Sequence, residues 1–303
     1  MPNRLPKFTG YASDKVRMLV ADTPPDLAPY LSGYYCTRVI ADGVIEDWMP
    51  PEEANIRTGV ADHYRAAIGP GALKTIPPVI LSGPTDKGTH IQVSAGDFWG
   101  VGLTPAGWAR FIGIPASEFA NRNDNLANYP GLQPIFEAFD RIVTDTPDDT
   151  AVIKRLNATF RALLGDRLPH ENAIHAVHHA IARRKPMASA ELASMAGMNL
   201  RTLERFCKRH FGFPHGKLQR RQRFLRSLGR YMLDPSMRWI NSLDPYYSDQ
   251  AHFIREFKAV MGMNPGEYAA RPHPIVGAAV SVTNSAAGVA MQALHTPRRN
   301  GDE

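Results

Sequence analysis

The residues with the clearest chemistry form two basic sets about fifty positions apart. Arg201, Thr202, Arg205, Lys208 and Arg209 share one face of a helix-period segment over Leu200–Phe211, whose other face carries Leu203, Phe206 and Cys207. Gln250, Ala251, Arg255 and Lys258 recur beside Phe253, Phe257 and Met261. At an offset of 50, Leu203 matches Phe253, Arg205 matches Arg255, Lys208 matches Lys258 and Gly212 matches Gly262. A guanidinium can donate to guanine O6 and N7 together, and a side-chain amide pairs with adenine. Lysine and threonine suit phosphates. A polar residue precedes each segment: Asn199 is a helix cap that also borders the basic face, and Asp249 is read first as a cap. All eleven residues are the candidate polyanion-binding set.

Other chemistry was weighed against these sets. His175, His178 and His179 have the i, i+3, i+4 spacing that can put two imidazoles on a metal, but no third ligand stands nearby beyond Glu171. His63 and His90 have no third partner at a telling spacing. Cys207 has basic neighbours that would favour a thiolate, yet its position in the helix is on the core side, so a small buried hydrophobe is expected. Gly69-Pro70-Gly71 is a turn, not a phosphate loop, and no nucleophile elbow occurs. The expectation is no catalytic residue, no metal, no cofactor and no enzymatic activity. Trp99 and Trp108 flank a Gly-Val-Gly run and are the candidates for lining an apolar effector pocket, with core packing as the alternative.

Charge supports the basic sets. The formal net charge is +6, but residues 170–273 hold 17 Lys+Arg against 8 Asp+Glu, whereas residues 1–169 hold 16 against 19. A basic segment beside a mildly acidic one points to a polyanion partner for one half only. Two cysteines make no disulfide framework, no signal-peptide pattern opens the chain and no apolar run reaches membrane-spanning length, so a cytoplasmic protein with no membrane partner is expected.

The elements that must position these groups follow from periodicity. Residues 1–115 alternate Gly/Pro punctuation with short β-branched or aromatic runs: Val16–Val20, Tyr34–Ile40, Val79–Ser82, His90–Val93 and Phe98–Leu103. These read as a β-rich sandwich or barrel-like domain. A short helix starts near Trp108, and longer ones cover Pro130–Thr144 and Asp149–Leu164. The last has an apolar stripe of Val152, Leu156, Phe160, Leu163 and Leu164, suited to joining domains or to a dimer contact. The reading is therefore α+β and multidomain: 1–145 β-rich, 146–169 a helical linker, 170–273 an all-α double helix-turn-helix, and 274–303 a disordered tail, because its small residues show no good period. Within the first helical unit Ser189 is the expected N-cap, and Gly197 supplies the turn.

Residues 170–273 resemble the DNA-binding domain of AraC-type bacterial transcription regulators. The residues that carry this are Leu192-Ala193, Gly197, Leu203, Arg205, Lys208 and Gly212 in the first unit. In the second they are Asp249 to Phe253, Arg255, Phe257-Lys258 and the turn Gly262-Met263-Asn264-Pro265, with Arg220–Ser227 matching the helix that joins the units. Gly96–Arg122 and Ser82–Gly88 resemble the β-rich domain fused to one AraC-type subfamily. The resemblance implies a sequence-specific regulator with two recognition helices in successive major grooves, about 34 Å apart. Its N-terminal domain would modulate activity. Duplex DNA at promoter sites is the implied partner. RNA polymerase, a small-molecule effector and a second copy of the chain are further candidates. A sensor or adaptor that uses the helical domain for protein contacts is the alternative.

Four positions depart from the family pattern. Tyr246, after Pro245, stands where glycine is usual; Asn241 replaces an apolar residue; Cys207 replaces Phe; and Pro214 comes one residue early. Tyr246 at positive φ would cost of order 1 kcal/mol. The expectation is a turn rebuilt with ordinary dihedrals, with the Tyr246 ring packed over Trp239 or Phe253.

Overall fold

The computed structural model describes residues 7–145, 148–233 and 239–287. Its first half is two antiparallel sheets. The strands are β1 (Phe8–Ala12), β2 (Val16–Ala21), β3 (Leu31–Val39), β4 (Ile45–Met49), β5 (Ala54–Val60), β6 (Tyr64–Ile68), β7 (Lys74–Thr75), β8 (Val79–Ser82), β9 (Thr89–Val93), β10 (Gly96–Leu103) and β11 (Asn123–Asn125). One sheet runs β1-β2-β3-β10-β5-β8-β11 and the other β4-β9-β6-β7. All five expected strand segments are found, within a few residues of the expected ends.

Alternation along β10 sets what lies on each face. Trp99, Val101 and Leu103 join the main core, while Phe98 faces the second sheet, its ring centroid 5.1 Å from that of Tyr64. The main-core face is covered by helices. These are α1 (Pro105–Gly107), continued by a π-type turn over Trp108–Ile112, then α2 (Gln133–Asp145) and α3 (Asp149–Ala162). The stripe on α3 is spent within the chain. Val152, Leu156 and Phe160 are fully buried, the Phe160 ring meets Phe111 at 4.9 Å, and Leu163 and Leu164 pack on the same core. It is therefore not a free dimer face. Asp148 caps α3, and Asn157 on it accepts the Tyr34 hydroxyl at 2.8 Å.

The helical half comprises α4 (Glu171–Ala182), α5 (Ser189–Met195), α6 (Leu200–Phe211), α7 (His215–Leu233), α8 (Trp239–Ser242), α9 (Gln250–Met261), α10 (Pro265–Ala269) and α11 (Pro274–Ala287). The segment between the halves is pinned. Arg110 donates to the carbonyls of Gly165 at 3.2 Å and Asp166 at 2.8 Å, and it pairs with Glu171; both side chains are buried. Glu171 also accepts the Tyr30 hydroxyl at 2.8 Å. These contacts hold the Glu171 carboxyl below its usual range despite burial, which alone would raise it.

The tail reading needs correction. Residues 274–287 are helical, with Ile275, Val276, Ala278, Val280 and Val282 buried. The missing period has a physical reason. Ile275, Ala278 and Val282 pack among strand residues Val16, Met18, Val39 and Val93, while Val276 and Val280 join the core of α7 and α9. A helix covered on two sides is apolar on both and shows no single stripe. Its N-terminus is held by Asp47 on β4, which accepts the Ile275 and Val276 amides at 2.8 and 2.9 Å. Residues 288–303 lie outside the described residues. No helix among the described residues is long and apolar enough to cross a membrane.

Candidate DNA-binding surface

Each basic set sits on a helix built by the same local rules. In the first unit, Gly197 turns the chain at φ +65°, and Met198 donates back to Ala193 at 2.8 Å. Asn199 Oδ1 accepts the Thr202 amide at 2.8 Å, capping α6. Leu203, Phe206 and Cys207 are buried. Arg201, Arg205, Lys208 and Arg209 are exposed, and Thr202 is half-buried. Gly212 ends the helix at φ +83°, donating to the Lys208 carbonyl. Ser189 does not cap α5: Ala188 occupies that position, and the Ser189 hydroxyl lies 3.1 Å from His215 Nδ1.

The second unit repeats the scheme fifty residues on. Asp249 Oδ1 accepts the His252 amide at 2.6 Å, the capping role expected of it. That bond, then the Ser248 hydroxyl, holds the Asp249 carboxyl below its usual range. Gln250, Ala251, Arg255 and Lys258 are exposed, while Phe253, Phe257 and Met261 are buried. Gly262 closes α9 at φ +76°, bonded to the Lys258 carbonyl as Gly212 is to Lys208.

The turn of unit two is rebuilt without glycine. Asn121 is the sole non-glycine residue at positive φ among the described residues, so Tyr246 has ordinary dihedrals. Buried Asp244 does the turning work. Its amide donates to Ser227 Oγ at 2.8 Å, its Oδ1 accepts the Tyr246 amide at 3.0 Å, and Arg226 binds its Oδ2 at 2.6 Å. The expected ring contact belongs to the neighbouring tyrosine. Tyr246 is 42% exposed, whereas Tyr247 sets its ring edge-on to Phe253 at 5.3 Å and donates its hydroxyl to Glu256 at 2.6 Å. Trp239 instead stacks on Tyr231 at 3.7 Å. Asn241 is exposed, which explains why an apolar residue is not needed there.

Much of the positive charge on the joining helix α7 points inward. Arg221 donates to the carbonyls of Glu52 and Thr85, Arg223 pairs with Glu256, Arg226 with Asp244, and Arg230 donates to the Leu243 carbonyl. The helix therefore ties the two units together and to the β domain. Arg183, Arg184 and Lys185, just before α5, are exposed as well, a basic cluster outside the two sets whose sequence signal is its run before Pro186.

The remaining candidates have local explanations. Cys207 is buried, and desolvation pushes its thiol up to about 12, against thiolate chemistry. His178 contacts Glu53 at 2.9 Å, His175 lies against the Tyr30 ring, His90 stacks on Trp48 and His63 faces Gln92. The structure does not bring Trp99 and Trp108 into one pocket. Trp99 is packed in the sheet core. Trp108 borders a narrow cleft between the halves with room for about one water, a volume of about 20 Å³, lined also by Glu53, Thr104, His210, Phe211 and Arg221.

A family model described as "Helix-turn-helix domain" matches residues 192–271, which span both capped basic helices. The C-terminal region is a helix-turn-helix domain of the AraC type. Among solved structures, ToxT from Vibrio cholerae is 10% identical, with 75% of this chain and 96% of that chain covered and a TM-score of 0.40. Wild-type ToxT with an unsaturated fatty acid bound, from the same organism, is 13% identical over 88% and 95% of the two chains, with a TM-score of 0.39. The AraC-like transcriptional activator CuxR is 10% identical over 66% and 73%, with a TM-score of 0.24. No curated protein matches the chain.

Proposed function

We propose that this AraC-type domain makes the chain a sequence-specific DNA-binding transcription regulator, and that its β-rich half modulates that binding. The observation that carries the reading is the pair of helices α6 and α9. Each is capped by Asn or Asp, closed by a left-handed glycine, and exposes its basic residues while burying the opposite face. In this reading Arg201 and Arg205 read bases, and Lys208, Arg209 and Lys258 bind phosphates. Gln250 and Arg255 supply base or phosphate contacts from the second helix. Asn199 and Asp249 act through their caps, and Thr202 and Ala251 border the same face.

The contacts between the halves support the second part, since Arg221 on α7 is buried and donates to the Glu52 and Thr85 carbonyls of the β half. The test is selection of bound sequences from random duplex DNA with the full-length protein, followed by titration over a range of salt. A discrete consensus is expected, with log K falling by about 0.9 per neutralised phosphate for each tenfold rise in salt. Binding that is flat with salt and free of sequence preference would overturn the reading.

A further inference from the structure

The loop Ser82–Gly88 joins β8 to β9, yet Ser82 to Asp86 and Gly88 are buried. Loops usually run over the surface, because buried backbone polar groups need partners. Here the partners come from both recognition units.

Toward unit one, Pro84 fits against Gly212, where an added Cβ would lie 2.6 Å from the proline ring. Asp86 pairs with Lys217 at 2.8 Å, and the Thr85 carbonyl accepts Arg221 at 3.2 Å. Toward unit two, the Lys87 ammonium donates to the Ala259 carbonyl at 2.5 Å, and the Gly88 amide to the Val260 carbonyl at 2.8 Å. The last carbonyls of a helix have no partner within it, and a cation is favoured there. The β domain thus caps the C-terminal end of α9 while gripping the residue that ends α6.

The loop itself is held rigid from below. The Asp86 amide donates to Asn121 Oδ1 at 2.9 Å, and Asn121 returns its side-chain amide to Asp86 Oδ1 at 2.6 Å. The Asn121 amide binds the Pro84 carbonyl at 3.0 Å, and the Thr85 amide binds the Glu52 carbonyl at 2.9 Å. Asn121 adopts φ +57°, a costly conformation that persists only where its surroundings enforce it.

We infer that the Ser82–Gly88 loop is a spacer that sets the separation and relative angle of the two recognition helices, so the β domain determines which spacing of DNA contacts the protein accepts. The consequence for DNA rests on the function proposed above; the positioning itself does not. Lys87 and Gly88 are positioning residues. Lys87→Met removes the cation from the end of α9 and leaves the Gly88 amide as the remaining cap. Gly88→Ala places a Cβ 2.9 Å from Met261 Sδ and 3.2 Å from the Met49 carbonyl, so the Met261 side chain must swing away and the Gly88 backbone must back off the α9 terminus that it caps. Lys87→Arg keeps the cation.

The test uses the full chain with spin labels on cysteines introduced by Glu204→Cys and Ile254→Cys, both exposed, with native Cys36 and Cys207 buried. Pulsed electron resonance reads the distance between the helices. One narrow distribution is expected for the parent and for Lys87→Arg, a broadened one for Lys87→Met, and a displaced one for Gly88→Ala. Unchanged narrow distributions in both Lys87→Met and Gly88→Ala would overturn the inference. A second arm selects from duplex DNA in which the distance between two fixed half-sites is randomised. The parent should choose one spacing and Lys87→Met several; identical spacing choice by both would also overturn it. Distances that respond while the parent selects no DNA would support the positioning role and sink only the DNA-binding reading.

Discussion

Asp47 and Ile275 are 228 positions apart in sequence and joined by a 2.8 Å hydrogen bond in which the buried carboxylate accepts an amide in the first turn of α11. The same carboxylate serves Val276 and lies 2.9 Å from His273 Nδ1. Asp47→Ala would leave two buried amides without an acceptor, at about 1–3 kcal/mol each. Urea unfolding should show that loss. Truncation after residue 273 should cost more, since it also uncovers Val16, Met18 and Val39. Unchanged unfolding midpoints in both proteins would show that α11 contributes nothing.

Arg205 is exposed on α6, on the face opposite buried Leu203 and Cys207. Arg205→Ala should weaken a selected site by about 1–3 kcal/mol and relax preference at one position if the guanidinium reads a base. Arg209→Ala should weaken all sequences alike and lower the salt slope by about one. Equal losses on every sequence for Arg205→Ala would reassign it to phosphate.

Tyr246 and Tyr247 should behave oppositely. Tyr246→Gly removes an exposed ring from a residue with ordinary dihedrals, so it should change stability by less than about 1 kcal/mol, and not upward. Tyr247→Ala empties an aromatic site beside Phe253 and removes one hydrogen bond from Glu256, at about 3–5 kcal/mol. Thermal melts of the two variants check this, and a marked gain for Tyr246→Gly would mean that the turn is strained after all.

Stability should fall on mild acidification. Burial lowers the His210 imidazole to about 4 from its ordinary 6.5, and burial also lowers His175 and His215. A histidine with a depressed folded-state value binds its proton more readily when unfolded. Its contribution is therefore intact above about pH 6.5 and is lost as pH falls from there toward about 4. Equilibrium unfolding at stepped pH should show this slope, and His210→Gln should flatten it. A variant with the parental slope would place the effect elsewhere.

The recognition helices were legible because their signals are local. Asn199 and Asp249, Gly212 and Gly262, and the offset of 50 between them all act within a few residues along the chain. The strands β2, β3, β8, β9 and β10 were legible for the same reason: a short β-branched or aromatic run between turn residues is a local signal that needs no distant partner. The rebuilt turn of unit two was half legible. The conflict between Pro245 and a left-handed Tyr246 showed that the turn must change, but not that Tyr247 would take the interior place, because that depends on where Ser227, Arg226 and Glu256 stand.

What the amino-acid order determined by itself, then, is the reading unit: its caps, its buried faces and the basic residues left outside. Only the tertiary structure decided how the β domain engages it. The burial of α11 on two sides erased the stripe by which a helix is recognised. The arginines of α7 turned inward to partners tens of residues away, so net charge overstated what is free for a polyanion. The grip of Pro84, Asp86, Lys87 and Gly88 on both recognition units joins residues more than a hundred positions apart. Contacts of that kind arise from chain closure and not from local propensity, and they leave no period in the sequence to read.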